Sequence, residues 1–263
     1  MEFAANKSTA ALVALAVLWA LEGWIPFFHD FNERGKRYPH AGRNFALGAF
    51  NALVMGALFS GLVVWASTQA RGSGMGLLSW LGLPAWAETL FAVLIFDAWM
   101  YLWHRLNHIV PILWRFHRVH HSDPRMDVTS GVRFHPGEIA LSFLFRIPVV
   151  PLLGITVWQL AIYESFLLPI ILFHHSNLAI SGKADAVLRW IIVSPNMHRV
   201  HHSDWQPETD SNYASVFSWW DRIFRSYRWR EDYHAIHYGL REFADPGWHT
   251  LKGILKTPLH KQK

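Results

Sequence analysis

The sequence predicts an all-α fold: an integral-membrane bundle of four to five spans or half-spans, joined to a helical cap. Hydrophobic residues make up 52% of the 263 positions and charged residues 16%, whereas soluble domains carry about 25% charged residues. A helix that crosses about 30 Å of hydrocarbon needs about 20 mostly apolar residues. Runs of this kind occupy residues 10–28, 45–66, 85–103 and 139–173.

The first and last of these runs need individual interpretation. Lys7 precedes the first run, which is typical of a signal peptide, but Glu22 interrupts the place where a cleavage site would lie. We therefore interpret this run as a membrane anchor. The last run is twice the length of one span and contains Pro148, Pro151 and Gly154 near its middle. We expect two spans there, or a hairpin that enters the membrane and returns.

Basic residues predict the orientation, because loops rich in Lys and Arg remain in the cytoplasm. The loops after the first and third runs are basic, whereas the loop after the second run contains only Arg71. This places residues 104–138 and 178–263 in a cytoplasmic cap packed on the ends of the spans. We expect residues 1–263 to form one domain, located in a bacterial inner membrane or, in a eukaryote, the endoplasmic reticulum. The net charge of +5 is too small to indicate a nucleic-acid partner.

An exact repeat of seven residues, His-Arg-Val-His-His-Ser-Asp, occurs at residues 117–123 and 198–204. We call these the first and second copies. The three histidines of each copy are spaced i, i+3 and i+4, which places them on one face of a helix. Further histidines follow the third and last apolar runs, and one lies between them. The candidate metal ligands are His104, His108, His117, His120, His121, His135, His175, His198, His201 and His202.

Imidazole binds iron, copper and zinc well, and ten histidines are enough for two first-row metal ions. The chain has no cysteine, which excludes thiolate sites and iron–sulfur clusters. The alternative interpretation of the copies is a pair of basic surface helices or a patch that binds lipid headgroups. His174 points about 100° away from His175 on a helix, so we expect that it cannot easily share the metal site. Solitary histidines are usually surface or core residues, and we assign this role to His29, His40, His234, His237, His249 and His260.

The order of these motifs resembles the fatty acid hydroxylase (sterol desaturase) superfamily of integral-membrane di-iron oxygenases. The similarity covers roughly residues 85–228, and the blocks that carry it are residues 97–108, 116–123, 133–138, 175–177, 196–203, 210–213 and 220–222. The resemblance implies a di-metal centre in the cytoplasmic cap and O₂-dependent hydroxylation of a sterol, sphingolipid, alkylglycerol or fatty acyl lipid, with desaturation as the second possibility. It implies two iron ions, which zinc can replace on purification, and no catalytic residue beyond the centre. Relatives often have a histidine where this chain has Ile171, so His135 is expected to complete the set.

Each ligand histidine needs an acceptor for its second ring N–H. Asp97 and Glu164 lie within spans, where a carboxylate is costly and by default functional, and we expect them to accept these bonds. Asp123 and Asp204, which follow the triplets, are further candidates. The alternative roles are a partner for Arg146 in the spans and exposed helix caps for the two aspartates.

Electrons must come from another protein, because the sequence contains no Gly-x-Gly-x-x-Gly fingerprint for nicotinamide or flavin. We expect a ferredoxin, or a cytochrome with its reductase. The competing functional class is a non-catalytic membrane metal-binding or transport protein. A carrier needs polar residues along its spans, and the few charges here lie mainly near the span ends.

Overall fold

A computed structural model describes residues 2–29 and 34–261, and it is helical throughout, with only isolated β-bridges between the described residues. The remaining positions of the predicted domain, 1, 30–33 and 262–263, lie outside the described residues, as do the side chains of Lys7 and Arg34. The α-helices are α1 (Glu2–Trp24), α2 (Arg34–Phe50), α3 (Gly56–Gly72), α4 (Leu77–Trp80), α5 (Ala85–Ile109), α6 (Pro111–His121), α7 (Pro136–Leu153), α8 (Val157–His175), α9 (Gly182–Ile191), α10 (Pro195–His201), α11 (Gln206–Thr209), α12 (Trp219–Ile223) and α13 (Leu251–Lys256).

Four helical segments of the described chain are long and apolar enough to cross a membrane: Gly35–Trp80, Ala85–Ile109, Pro136–Leu153 and Val157–His175. A shorter apolar helix covers Thr9–Trp24. Large apolar side chains on these helices point outward; Leu53 is 74% exposed and Trp86 73% exposed. Because exposed apolar surface of this extent is unfavourable in water, the outer face of the bundle fits a lipid environment. The predicted all-α membrane fold is confirmed.

The long apolar run at residues 139–173 forms two helices, as predicted. The chain turns at Gly154, which has a φ of 75° and ends α7, and Pro148 and Pro151 remain inside that helix. A left-handed backbone conformation favours glycine because it has no Cβ. The turn contacts Gly76 in the preceding loop, and a Cβ atom at Gly76 would lie 2.3 Å from the Gly154 Cα. Backbone therefore meets backbone at this end of the bundle.

The N-terminal helix α1, which contains the predicted anchor, packs against α8. The Glu22 carboxylate is buried and accepts hydrogen bonds from the backbone N–H groups of Val128 (2.8 Å) and Asn177 (2.6 Å). It also forms an ion pair with Arg37 at 3.1 Å. Glu22 thus joins α1 to the end of α8 and to the 3₁₀ turn Val128–Val132.

The cap packs on the opposite end of the bundle from Gly154. Helix α6 follows α5 directly, and Pro111 at its first helical position needs no N–H partner there. Helix α10 begins in the same way at Pro195, after Ser194 has capped the N–H of Met197. The two copies of the repeat therefore lie on two short helices that meet where α5 and α8 end.

Candidate metal centre

Nine histidines converge in two groups at the junction between the spans and the cap. His104, His108, His117, His121 and His201 form the five-histidine group. His120, His175, His198 and His202 form the four-histidine group. Within each group, one ring nitrogen of every member lies within 4.8 Å of those of the others.

Four helices supply these rings, and the helical period decides which group each ring enters. His104 and His108 lie one turn apart at the end of α5, and His175 is the last residue of α8. In each copy, the first and third histidines are one turn apart and enter the same group. The middle histidine, at i+3, enters the other group. The two copies therefore interlock.

The rings of the five-histidine group are oriented by acceptors on their outer side. The Nδ1–H groups of His104 and His201 donate to the backbone carbonyls of Tyr213 (2.8 Å) and Ser211 (2.6 Å). The Nδ1–H of His117 donates to the Glu138 carboxylate at 2.7 Å. Each of these bonds fixes the tautomer, so that Nε2 carries a free lone pair.

These lone pairs point at one another. The Nε2 atom of His104 lies 3.1 Å from the Nε2 of His117 and 3.1 Å from the Nε2 of His201. With all three Nδ1 atoms protonated, no proton is left to join these nitrogens. Nitrogen lone pairs in such contact repel unless a cation lies between them. The arrangement fits a first-row metal ion.

The four-histidine group has the same inner geometry. The Nδ1–H of His175 donates to the carbonyl of Ile171 at 2.7 Å. Its Nε2 lies 3.0 Å from the Nε2 atoms of both His120 and His198. The Nε2 of His202 is 3.1 Å from that of His198. The ring nitrogens of these four histidines therefore surround a second position that fits a first-row metal ion.

Burial keeps five of these imidazoles neutral, as metal ligands must be. In the cap, burial and, to a smaller extent, the neighbouring imidazoles hold the pKa of His120, His121, His198 and His202 well below the usual value. Burial likewise lowers the pKa of His201 to about 3. At neutral pH these five rings carry no proton that would compete with a metal ion.

Comparison with known proteins agrees with this geometry. The family model for fatty acid hydroxylases matches residues 89–226, more than half of the chain and the part that contains every histidine of both groups. The chain belongs to the fatty acid hydroxylase family. The resemblance found in the sequence is thereby confirmed.

Relatives of the chain include lipid-modifying enzymes. It is 32% identical over 156 residues to an alkylglycerol monooxygenase of Danio rerio, a match that covers 59% of this chain and 33% of the relative. It is 30% identical over 153 residues to an ornithine lipid hydroxylase of Rhizobium tropici, covering 55% of this chain and 43% of that protein. The chain thus spans between a third and a half of the length of these relatives. No solved structure matches it.

One prediction about a histidine at the margin of the centre needs correction. His135 is not a member of either group; its Nδ1 accepts the N–H of Gly137 and caps α7, and its Nε2 lies 3.3 Å from the Leu255 carbonyl. His174 lies outside both groups, as expected. It is buried next to the four-histidine group, with its ring centroid 4.0 Å from that of His198.

The four predicted carboxylate acceptors are also placed elsewhere. Asp97 accepts hydrogen bonds from Tyr163, Phe217 and Trp220. Glu164 forms an ion pair with Arg146 at 2.8 Å, the alternative role considered for it. Asp123 is buried against His40 and Ser130, and Asp204 pairs with the exposed Arg241. None of these hydrogen bonds reaches a histidine of the two groups.

The acceptors that the structure does provide are Glu138 for His117, at 2.7 Å, and Asp210 for His108, at 3.3 Å. Sequence reasoning missed both. Each lies in one of the blocks that resemble the family, residues 133–138 and 210–213, and this was the available signal.

A cavity of about 200 Å³ adjoins the centre, with His117, His120 and His175 at one end and Met100, Arg146 and Leu167 further along the spans.

Proposed function

We propose that this protein is a membrane-bound, O₂-dependent di-iron oxygenase that hydroxylates a C–H bond of a lipid. The observation that carries the proposal is the convergence of Nε2 atoms, 3.0–3.1 Å apart, in two adjacent buried groups. A neutral all-nitrogen donor set of this kind suits Fe²⁺ and also accepts Zn²⁺. Two iron ions, when bound, supply with O₂ the oxidant that an unactivated C–H bond requires.

The chain's own residues orient the donor atoms and shape the substrate site. Glu138, Asp210 and the carbonyls of Tyr213 and Ser211 hold four rings of the five-histidine group with Nε2 facing inward. The cavity beside the centre is lined by apolar side chains, among them Met100, Trp103, Ile139, Leu167 and Ile171. Such a lining binds an alkyl or ring segment and excludes water from the reacting position.

The cavity and the relatives support the proposed substrate class. Most of the cavity walls come from α5, α7 and α8, three of the helices that can cross a membrane, which supports entry of a lipid from the bilayer. The relatives named above are an alkylglycerol monooxygenase and an ornithine lipid hydroxylase. We propose a lipid of the sterol, sphingolipid, alkylglycerol or fatty acyl type as the substrate.

The electron donor is a separate ferredoxin, or a cytochrome with its reductase, that approaches from the cytoplasm. The basic loops of the sequence support this orientation. A reporter fused after the C-terminus is expected in the cytoplasm, and one inserted in the loop between α4 and α5 on the outside. An external C-terminal reporter would contradict the proposed route of electrons.

The carrier alternative is less well supported. A transporter holds its cargo near the membrane midplane, where both sides can reach it. Both histidine groups lie instead where α5 and α8 end and the cap begins.

The test combines metal content with lipid analysis. Protein purified gently from iron-rich medium is expected to contain close to two metal ions per chain. Lipids of cells that express it should include a species heavier by one oxygen atom, absent with the His120→Ala variant. The matched control is His237→Ala, because His237 is exposed and outside both groups. A ratio of one metal ion or fewer per chain would contradict the di-metal site, and a lipid lighter by two hydrogens would indicate a desaturase.

A further inference from the structure

The two histidine groups are related by an approximate exchange of the two copies. His104 contacts His117 and His201, the first histidine of the first copy and the middle histidine of the second. His175 contacts His198 and His120, the first histidine of the second copy and the middle histidine of the first. His175 is therefore the counterpart of His104.

This exchange leaves His108 without a counterpart. Helix α5 continues to Ile109, and the extra turn after His104 carries His108 into its group. Helix α8 ends at His175. The side chain of Asn177 beyond that end bonds with the backbone of Phe28 instead. The four-histidine group is one imidazole short for this reason.

The outer sides of the rings differ as well. In the five-histidine group, four of the five Nδ1 atoms have an acceptor, and two of the acceptors, Glu138 and Asp210, are carboxylates. In the four-histidine group, the Nδ1 atoms of His120 and His198 are buried and have no hydrogen-bond partner among the described residues. Carboxylate partners raise the basicity of a ligand imidazole and hold its ring in place.

We infer that the two metal sites are unequal, with the five-histidine group binding its ion more tightly and releasing it last. This inference rests on the proposed function, because it concerns the same two sites. The extra imidazole and the fixed tautomers both favour the five-histidine site. Loss of outer partners typically changes metal affinity about 10- to 100-fold, and we expect a difference of at least this size between the sites.

The experiment measures metal release from the detergent-solubilised protein. Zn²⁺ is the probe, since it binds imidazole and has no redox chemistry. The protein is loaded with Zn²⁺, exposed to excess chelator, and sampled over time for zinc per chain. We expect two phases of equal size, with a plateau near one ion per chain between them and rates that differ about 10-fold or more.

Variants assign the phases. Glu138→Gln and Asp210→Asn keep a neutral acceptor and should accelerate only the slow phase. His108→Ala removes the unmatched ligand and should bring the slow rate close to the fast one. His198→Ala should abolish the fast phase and leave one slowly released ion. The control is Glu231→Gln, an exposed carboxylate away from both groups, which should change neither phase.

The outcomes separate this inference from the function on which it rests. Wild-type protein that never binds two ions contradicts the proposed di-metal centre. If wild-type protein binds two ions and releases both in a single phase, the di-metal centre still stands but the two sites are not unequal. This result overturns the inference without the need for any variant. Faster release of the first ion in Glu138→Gln would overturn the assignment of the slow phase to the five-histidine group.

Discussion

The two copies of His-Arg-Val-His-His-Ser-Asp have one sequence but two surroundings. Arg118 of the first copy is buried and donates to the carbonyls of Thr257 and His260 near the end of the described chain. Arg199 of the second copy is also buried but donates to the carbonyls of Ser176 and Leu178, just after α8. The same guanidinium thus anchors the C-terminal segment in one case and the end of a membrane helix in the other.

The difference is larger at the last residue of each copy. Asp123 is buried, and its carboxylate contacts His40 at 2.8 Å and accepts a hydrogen bond from the Ser130 hydroxyl at 2.7 Å. Asp204 pairs with Arg241, whose side chain is 87% exposed. The local sequence therefore determines the inner, metal-facing side of each helix, because that side depends only on the i, i+3, i+4 spacing. Tertiary packing determines the outer side.

The largest expected effect concerns the inner sides, where the histidine spacing is the same in both copies. His120→Ala and His201→Ala each remove the middle histidine of a copy, and each is expected to lower lipid oxidation by more than about 100-fold, beyond the usual effect of an outer partner. Product formation is measured at equal amounts of protein in the membrane fraction. Near-normal activity from one variant but not the other would show that only one of the two histidine groups binds a metal ion required for catalysis.

The acid sensitivity of the metal-free protein provides a second test of the inner sides. Five cap histidines from both copies have a pKa lowered by burial, so the unfolded chain binds protons that the folded chain does not. The contribution of these histidines to the free energy of unfolding is fully present above about pH 6.5, the pKa of histidine in the unfolded chain. It decreases as the pH falls below this value, by about 1.4 kcal/mol per histidine for each pH unit.

Thermal unfolding of the chelator-treated protein between about pH 7.5 and 5.5 measures this loss. His121→Gln should reduce the pH dependence of the free energy of unfolding by the contribution of one histidine. A transition temperature that does not change over this range would contradict the burial of neutral imidazoles in the metal-free fold.

The outer sides give the smallest effects and should separate the copies. Asp123→Asn removes the charged partner of the buried His40 and is expected to lower the free energy of unfolding by about 3 kcal/mol. Asp204→Asn affects a solvent-exposed pair and should change it by less than about 1 kcal/mol. Denaturation of both variants in detergent provides the measurement. Equal losses would mean that the two aspartates are equally buried in the membrane-embedded protein.

The sequence was sufficient for the spans and for nine ligand candidates, because apolar run length and i, i+3, i+4 spacing act over one or two turns. The acceptors depend on contacts that no local pattern records: Glu138 meets His117 across 21 residues and Asp210 meets His108 across 102. Asp97 was a poor candidate on distance alone. Seven residues before His104 is about 10.5 Å along a helix, beyond hydrogen-bond reach.

His135 illustrates a different limit. Its position before Pro136 predicts an extended backbone, and the structure has it at φ −67° and ψ 138°, with its ring as the N-cap of α7. A residue that caps a helix directs its side chain to the helix's own N–H groups. The composition of the motif pointed to metal binding, whereas the adjacent proline pointed to a cap.

The contact between Gly76 and Gly154 restricts where foreign sequence can be placed in the chain. These two loops meet backbone to backbone, and residues inserted between Met75 and Leu77 would separate α7 and α8 from the preceding loop. Gly82 has a φ of 60°, and a side chain there would meet only open space. An epitope or split-reporter fragment inserted beside Gly82 should therefore leave the hairpin intact, whereas the same fragment beside Gly76 should reduce the yield of folded protein.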